Sequence, residues 1–180
     1  MKVITPLSED QNVDYANSYT IFLAGGCTTA WRDEFARRLG ELCKVENLVV
    51  FNPFCDSSKI KLKDLLCWER KHLLACKILV FNFEGSESPQ PGSMFELGQY
   101  AFDKCKHDDH VLVNVDDKYK LKREVGIHVE LMNERKSRFV PSIELFNSGF
   151  DEMVKRCANI ICNDFNGVNY MHELVGRYRR

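Results

Sequence analysis

The sequence has almost no surplus of charge of either sign and no long apolar run. Its 180 residues include 25 Lys and Arg against 26 Asp and Glu, which gives a formal net charge of −1 at pH 7. Binding to nucleic acid or to a membrane surface through bulk electrostatics requires a clear charge excess, so we expect neither as a partner. No stretch approaches the roughly 18 to 20 apolar residues that a membrane-spanning helix needs.

The sequence also lacks the usual patterns of targeting, metal binding and cofactor binding. Residues 1–19 have no apolar core of the signal-peptide type, so we expect a cytoplasmic protein. The eight cysteines include no CxxC pair and no clustered CxxH or HxxxH, and we expect reduced, mostly buried thiols and no metal site. Neither GxGxxG nor a Walker-type GxxxxGK(S/T) is present, and we expect no cofactor.

What the sequence does contain is an alternation of apolar runs with amphipathic segments. Strands are predicted at residues 21–26, 47–53, 77–83, 110–115 and about 138–146. Helices are predicted at residues 28–43, 62–76, 93–105, 119–136 and 149–161, and a short one at 170–178. Residues 119–136 also alternate as in a strand, and we favour a helix there because the order of elements calls for one.

This alternation predicts an α/β domain with a doubly wound, Rossmann/flavodoxin-like sheet of about five parallel strands and helices on both faces. We assign the domain to residues 20–162, with tails at 1–19 and 163–180. Thr28 or Thr29 is the expected N-cap of the first helix. The apolar face of that helix is expected to consist of Trp31, Phe35, Leu39 and Leu42.

A binding crevice is expected beyond the carboxyl ends of the first and third predicted strands, which adjoin in the flavodoxin-like order 2-1-3-4-5. These strands end in "AGG" (24–26) and "NFEGSESPQPGSMFE" (82–96). Gly25 and Gly26 would let a sugar or phosphate approach the backbone, or simply form a turn. Glu96 is predicted in the first turn of the next helix, whose positive end would keep it ionised as a nucleophile or stabiliser, or use it as a cap.

Four segments in a fixed order resemble the nucleoside 2-deoxyribosyltransferase family and its relatives that hydrolyse deoxynucleoside 5′-monophosphates. They are "IFLAGG" at the first strand, "VVFNP" at the second, "CWERKHLLACKILVFNF" through the second helix and third strand, and "MFELGQYA" at the next helix. The similarity covers roughly residues 20–125. It implies an enzyme that acts on a small nucleoside or nucleotide.

In that family the glutamate of the ELG motif is the nucleophile, which the resemblance places on Glu96. It would attack the anomeric carbon and form a glycosyl ester, which an acceptor base or water then opens with net retention. The resemblance places the acid that contacts the leaving base on Glu69, which could instead be an exposed carboxylate paired with a neighbouring cation. Trp68 could stack on a base or belong to the core. Asn52 and Asp56 are candidates for the sugar or base side of the pocket.

The loop before the nucleophile departs from the family pattern. The transferases have an acidic residue six positions before the nucleophile, and the monophosphate hydrolases have a serine-containing turn suited to a phosphate. Here that position is Gln90, with Ser88 and Ser93 close by. Met94 and Phe95 replace the usual glycine just ahead of the motif. The resemblance therefore implies the chemistry but leaves the substrate open.

The family also builds its sites at subunit interfaces, which implies a homo-oligomer of two or more copies. A polar residue after the fourth strand takes part in such sites, and the candidates here are Tyr119, Glu124 and His128, although His128 is more simply an ordinary helix histidine. Candidates for the group that a neighbouring subunit contributes are Tyr170 and Tyr178.

The leading hypothesis is transfer of 2-deoxyribose between bases through a glutamyl-deoxyribosyl intermediate. The close alternative is hydrolysis of deoxynucleoside 5′-monophosphates, which the serines of the loop favour. A nucleotide-binding sensor without catalysis belongs to a different class. A flavodoxin-like electron carrier has little support, because no Ser/Thr-rich phosphate loop follows the first strand.

Overall fold

The computed structural model describes residues 1–85, 88–104, 109–135 and 143–177, and the side chains of 102–104 and 165–177 are not described. In the described residues, six parallel strands form one sheet in the order β1-β3-β2-β4-β5-β6. The strands are β1 (Lys2–Ile4), β2 (Tyr19–Gly25), β3 (Leu48–Phe51), β4 (Ile78–Phe83), β5 (His110–Val115) and β6 (Glu144–Asn147).

Five helices in the described chain cover the two faces of this sheet. They are α1 (Trp31–Leu42), α2 (Leu62–Ala75), α3 (Pro91–Lys104), α4 (Lys122–Glu134) and α5 (Phe150–Arg177). Neighbouring residues of β2 show how the faces divide. Ile21 packs in a core with α1 and α5, whereas Phe22 packs in a second core with α2, α3 and α4. Because both faces are covered, the inner strands are mostly apolar, and the buried Asn82 of β4 accepts a hydrogen bond from the neighbouring Asn114 of β5 at 2.7 Å.

The doubly wound α/β fold predicted from the sequence is confirmed. When β1 is left out and the other five strands are numbered 1 to 5 along the chain, their order in the sheet is the flavodoxin-like 2-1-3-4-5. Residues 119–136, which were ambiguous, form helix α4. Of the strand expected at 138–146, the part before residue 143 lies outside the described residues, and β6 begins at Glu144.

Two segments differ from their predicted form because short sequence patterns are weak signals. The sheet gains the edge strand β1 within residues 1–19, which we expected to be a tail; its three residues are too few to show alternation. At the other end, α5 runs on to Arg177 in place of a break and a separate short helix. None of the helices in the described part of the chain combines the length and the apolar character needed to cross a membrane.

The start of α1 also differs from its prediction. Neither Thr28 nor Thr29 caps the helix; the N-cap position is Ala30, which has no side-chain hydrogen bond to the helix. The two threonine hydroxyls donate to the carboxylate of Glu84 instead. At the far end, Leu42 is exposed because the chain leaves the helix in an extended conformation at the next residue.

Candidate active site

A cavity of about 550 Å³ lies at the carboxyl ends of β2 and β4, where the strand order reverses. We call it the crevice. Its walls come from the turn after β2, the loop after β3, helix α2, and the segment that leads into α3. The residues that line it include Gly25, Gly26, Arg32, Cys55, Glu69, Ser88, Gln90, Ser93 and Glu96.

Glu96 lies in the crevice, but not at the start of its helix. Helix α3 begins at Pro91, a residue that suits the first helical position, so Glu96 belongs to the second turn. The expectation that the helix end would keep Glu96 ionised is therefore wrong. Burial, reinforced by the negative charge of Glu69 and opposed by Arg32, raises the pKa of Glu96 to about 7.

Glu69 projects into the same crevice from α2 and is partly buried. Burial raises its pKa as well, and the charge of Arg32 opposes this shift. Because the charge of Glu69 is one cause of the raised pKa of Glu96, the protonation of Glu96 depends on the charge state of Glu69. Near pH 7, Glu96 is present in both its protonated and its ionised form.

Arg32 supplies the positive charge that faces this pair, and the sequence did not reveal it. Its side chain is only 4% exposed and donates to three backbone carbonyls at the end of β2, at 3.0 Å to Leu23, 2.9 Å to Gly25 and 2.6 Å to Gly26. Burial lowers the pKa of Arg32, yet a guanidinium keeps its charge in proteins. Nothing in the pattern of α1 distinguishes Arg32 from a surface arginine.

The two glycines after β2 are required by close packing. Gly25 has a φ of +141°, and a Cβ there would lie 2.2 Å from the carbonyl oxygen of Asn82. A Cβ on Gly26 would lie 2.2 Å from Oε2 of Glu84. Glu84 is a second residue that sequence reasoning missed, and its buried carboxylate accepts from the backbone N–H of Thr28 at 3.2 Å. Gly25 and Gly26 therefore form a tight turn, and both also line the crevice.

The loop before α3 is held in place from two sides. Gln90 has a left-handed φ of 46°, and its Nε2 donates to the carbonyl of Glu84 at 3.0 Å. Tyr119 is buried and does not line the crevice; its hydroxyl donates to the carbonyl of Pro89 at 2.6 Å. This anchoring places Ser88 and Ser93 at the wall of the crevice.

Three further predicted site residues, besides Tyr119, lie outside the lining of the crevice. Asn52 is buried and accepts a hydrogen bond from the backbone of its own loop, and Asp56 is exposed and accepts from the hydroxyl of Ser58 at 2.7 Å. Trp68 packs against Phe51 and donates from Nε1 to Gln11 at 2.9 Å. Trp68 therefore packs against the hydrophobic core, which was one of the two roles expected for it. Asn52 shapes the loop that carries other lining residues.

Glu124 and His128 lie beside a second, open space of about 520 Å³ between α3 and α4, which we call the α3–α4 groove. It shares no lining residue with the crevice. Phe95, next in sequence to Glu96, also lines this groove and is 70% exposed. Tyr170 lies in the helical part of α5 whose side chains are not described, and Tyr178 is outside the described residues.

The sequence of the chain was compared with curated proteins and with models of protein families. No curated protein matches the chain. The family model described as nucleoside 2-deoxyribosyltransferase like matches residues 18–116, which is more than half of the 180 residues. This range contains the turn after β2, Glu69 on α2 and Glu96 on α3. The chain belongs to the nucleoside 2-deoxyribosyltransferase-like family.

Proposed function

We propose that the protein cleaves the N-glycosidic bond of 2′-deoxynucleosides and transfers the 2-deoxyribosyl group to another base through an ester on Glu96. The observation that carries the proposal is the pairing of Glu96 and Glu69 in one crevice, both with raised pKa values. Family membership supports a glycosyl-transfer or N-glycosidase activity on a nucleoside or nucleotide. Such a reaction needs a nucleophile for the anomeric carbon and a donor for the leaving base, and the two carboxyl groups are suited to these roles.

In the first step, a carboxylate oxygen of Glu96 attacks the anomeric carbon while the bond to the base breaks. The electron pair of that bond leaves with the base, and Glu69 gives the base its proton or a hydrogen bond. In the second step, a nitrogen of the acceptor base attacks the same carbon and loses its proton to Glu69, while the ester bond breaks and its electron pair returns to the carboxylate of Glu96. Two inversions give net retention, and the covalent ester divides one difficult substitution into two easier ones.

A second candidate function is hydrolysis of deoxynucleoside 5′-monophosphates, with water as the acceptor. The specific support is the segment at the start of α3: Ser88, Gly92 and Ser93 line the crevice there, and Gln90 stands where transferases carry an acid. The first turn of a helix offers unpaired N–H groups and a positive dipole end, which suit a phosphate. A carboxylate at that position would repel the phosphate instead.

One pair of incubations distinguishes these functions. The protein is mixed with deoxyadenosine and cytosine, and separately with deoxyadenosine 5′-monophosphate, and the products are separated by chromatography. New deoxycytidine without free sugar supports transfer, whereas adenine with deoxyribose 5-phosphate supports hydrolysis. Binding of either compound without release of any base would overturn both proposals and leave a sensor.

The raised pKa of Glu96 predicts the pH dependence of the rate. The nucleophile must be ionised, and the pKa of Glu96 is raised to about 7, so kcat/KM should rise about tenfold per pH unit below that pH and level off above it. Glu69→Gln removes a negative charge that contributes to the raised pKa of Glu96, so the midpoint of the rise should move to lower pH. A wild-type rate that is constant from about pH 5 to about pH 8 would contradict an ionised Glu96 as the nucleophile.

We also propose that a second copy of the chain covers the α3–α4 groove, which makes the enzyme a homo-oligomer. The support is the exposure of Phe95 directly beside Glu96, since a large aromatic side chain in water is costly and typical of an interface. Such an interface would bring the partner close to the crevice. Glu124 and His128, which are candidates for the polar residue that takes part in a shared site, line the same groove.

Phe95→Asp is expected to convert the oligomer to monomer, because it places a charge in the apolar centre of the interface. Light scattering after size-exclusion chromatography measures the molar mass. The matched control is Leu62→Asp: Leu62 on α2 is equally exposed, at 70%, but lies outside the groove, and its replacement should leave the mass unchanged. A monomeric wild type would contradict the proposal outright.

A further inference from the structure

Two cysteines from distant parts of the sequence meet on the face of the sheet opposite α2. Sγ of Cys43, at the end of α1, lies 3.7 Å from Sγ of Cys162 on α5. Cys43 is buried and Cys162 is partly exposed, and neither is in a disulfide bond. The two sulfur atoms are in van der Waals contact, and a disulfide bond between them requires an approach to about 2.05 Å.

The meeting of these thiols is set by the packing of two helices. Trp31 begins α1 and makes an edge contact with Phe150, which begins α5, with ring centroids 6.5 Å apart. The same offset of 119 residues separates Trp31 from Phe150 and Cys43 from Cys162. The helices therefore run side by side in one register over roughly 18 Å, at 1.5 Å per residue.

Further contacts hold this helix pair in place. Arg38, in the second half of α1, forms an ion pair with Asp151 in the first turn of α5. Just beyond the end of the helix pair, the hydroxyl of Tyr19 on β2 donates to Asp164 at 2.5 Å. Because rigid elements fix the positions of both thiols, their proximity does not depend on a mobile loop.

We propose that Cys43 and Cys162 are a modification site that forms a reversible disulfide by exchange with a small disulfide such as oxidised glutathione. The thiolate of the more exposed Cys162 attacks one sulfur of the glutathione disulfide and releases one reduced glutathione. The thiol of Cys43 loses its proton and attacks the Cys162 sulfur of the mixed disulfide, which releases the second glutathione. The protein loses two electrons and two protons, and the oxidant gains them.

The expected consequence is a more stable fold with unchanged access to the crevice. The bond would close a loop between positions 119 residues apart, and long loops give the largest gains in the chain-entropy description. Arg32, the crevice residue of α1, lies eleven residues from Cys43, about 16 Å along the helix. Catalysis is therefore expected to persist in the oxidised protein.

The test is to incubate the full chain with oxidised glutathione, alkylate the remaining thiols and map the peptides. We expect a linked peptide pair that contains Cys43 and Cys162, and a rise in Tm of roughly 5 to 15 °C that dithiothreitol reverses. In Cys162→Ser the rise should be absent. In Cys67→Ser, a matched control that removes an exposed thiol from α2, it should remain.

Two results would overturn the proposal. One is a map in which Cys43 and Cys162 are both alkylated while the exposed Cys27 and Cys67 have become mixed disulfides with glutathione. The other is a linked pair without any gain in Tm. Since the peptide map is made on the wild type, it decides the question even where the serine variant fails to fold.

Discussion

The Glu96→Gln variant is expected to release base from its substrate at least about 10³-fold more slowly than the wild type, because an amide cannot form the glycosyl ester. Wild-type protein quenched in acid during turnover should carry one sugar unit on the peptide that contains Glu96, and the variant should carry none. Chromatography of the free base measures the rate, and mass spectrometry of the digested protein measures the ester.

The same substitution should stabilise the fold at neutral and alkaline pH. The folded-state pKa of Glu96, about 7, is above the ordinary value of 4.5, so the folded chain binds this proton more tightly than the unfolded chain. The cost of burying the carboxylate is therefore absent below pH 4.5, grows as the pH rises and is complete above pH 7. We expect a gain of about 1 to 3 kcal/mol in the free energy of unfolding at about pH 8, and much less at about pH 5.

Glu46→Gln is the control for both measurements, because Glu46 is exposed in the loop before β3. It should leave the rate and the free energy of unfolding unchanged. A Glu96→Gln variant that releases base within tenfold of the wild-type rate would remove Glu96 from the role of nucleophile. Equal stabilisation at both pH values would show that the carboxylate is not the source of the gain.

Arg32→Ala is expected to lower the free energy of unfolding by about 3 to 5 kcal/mol. The carbonyls of Leu23 and Gly25 would lose the guanidinium as a donor, and that of Gly26 would keep only the Nε1 of Trp31 at 2.9 Å. The ring of Trp31 would also lose the guanidinium 4.6 Å from its centroid. Because the turn that forms the floor of the crevice depends on these bonds, substrate binding should weaken as well. Urea denaturation measures the first effect and KM the second.

Arg37→Ala is the matched control, since Arg37 lies on the same helix and makes exposed ion pairs with Glu34 and Glu41. Exposed pairs contribute little, so a change within about 1 kcal/mol is expected. Equal losses in the two variants would mean that the carbonyl contacts of Arg32 have no special weight. Arg32→Lys should fall between them, because a single ammonium cannot reach three carbonyls in a fork.

Much of the fold follows from features that are strong in the sequence. The runs at β2, β4 and β5 are mostly apolar on both sides of the strand because both faces of the sheet are covered, and such runs predict a parallel sheet directly. The ends of the elements were harder to predict. Thr28 and Thr29 are residue types that suit an N-cap, but the buried carboxylate of Glu84, just after β4, accepts from their hydroxyls, and this contact is visible only in three dimensions.

The candidate site was predictable where a motif carried it. The order of the segments placed Glu96 and Glu69 beside Gly25 and Gly26, and these four residues do line one crevice. The sequence did not predict the role of Arg32, because that role depends on the carbonyls of a neighbouring strand. The sequence also did not predict that the pKa of Glu96 is raised, because this shift depends on where α3 begins and on the burial of the carboxylate.

The order of strands in the sheet has a consequence for the chain as it is synthesised. β2, β4, β5 and β6 lie side by side in the order in which they are made, so this half of the sheet can extend one strand at a time. β1 is made before β2, yet it pairs with β3 and must wait until residues 48–51 have emerged. β1 is therefore expected to pair only after β2 and β3 are available, and because it is a three-residue edge strand its few amides should be among the first in the sheet to exchange their hydrogens with solvent.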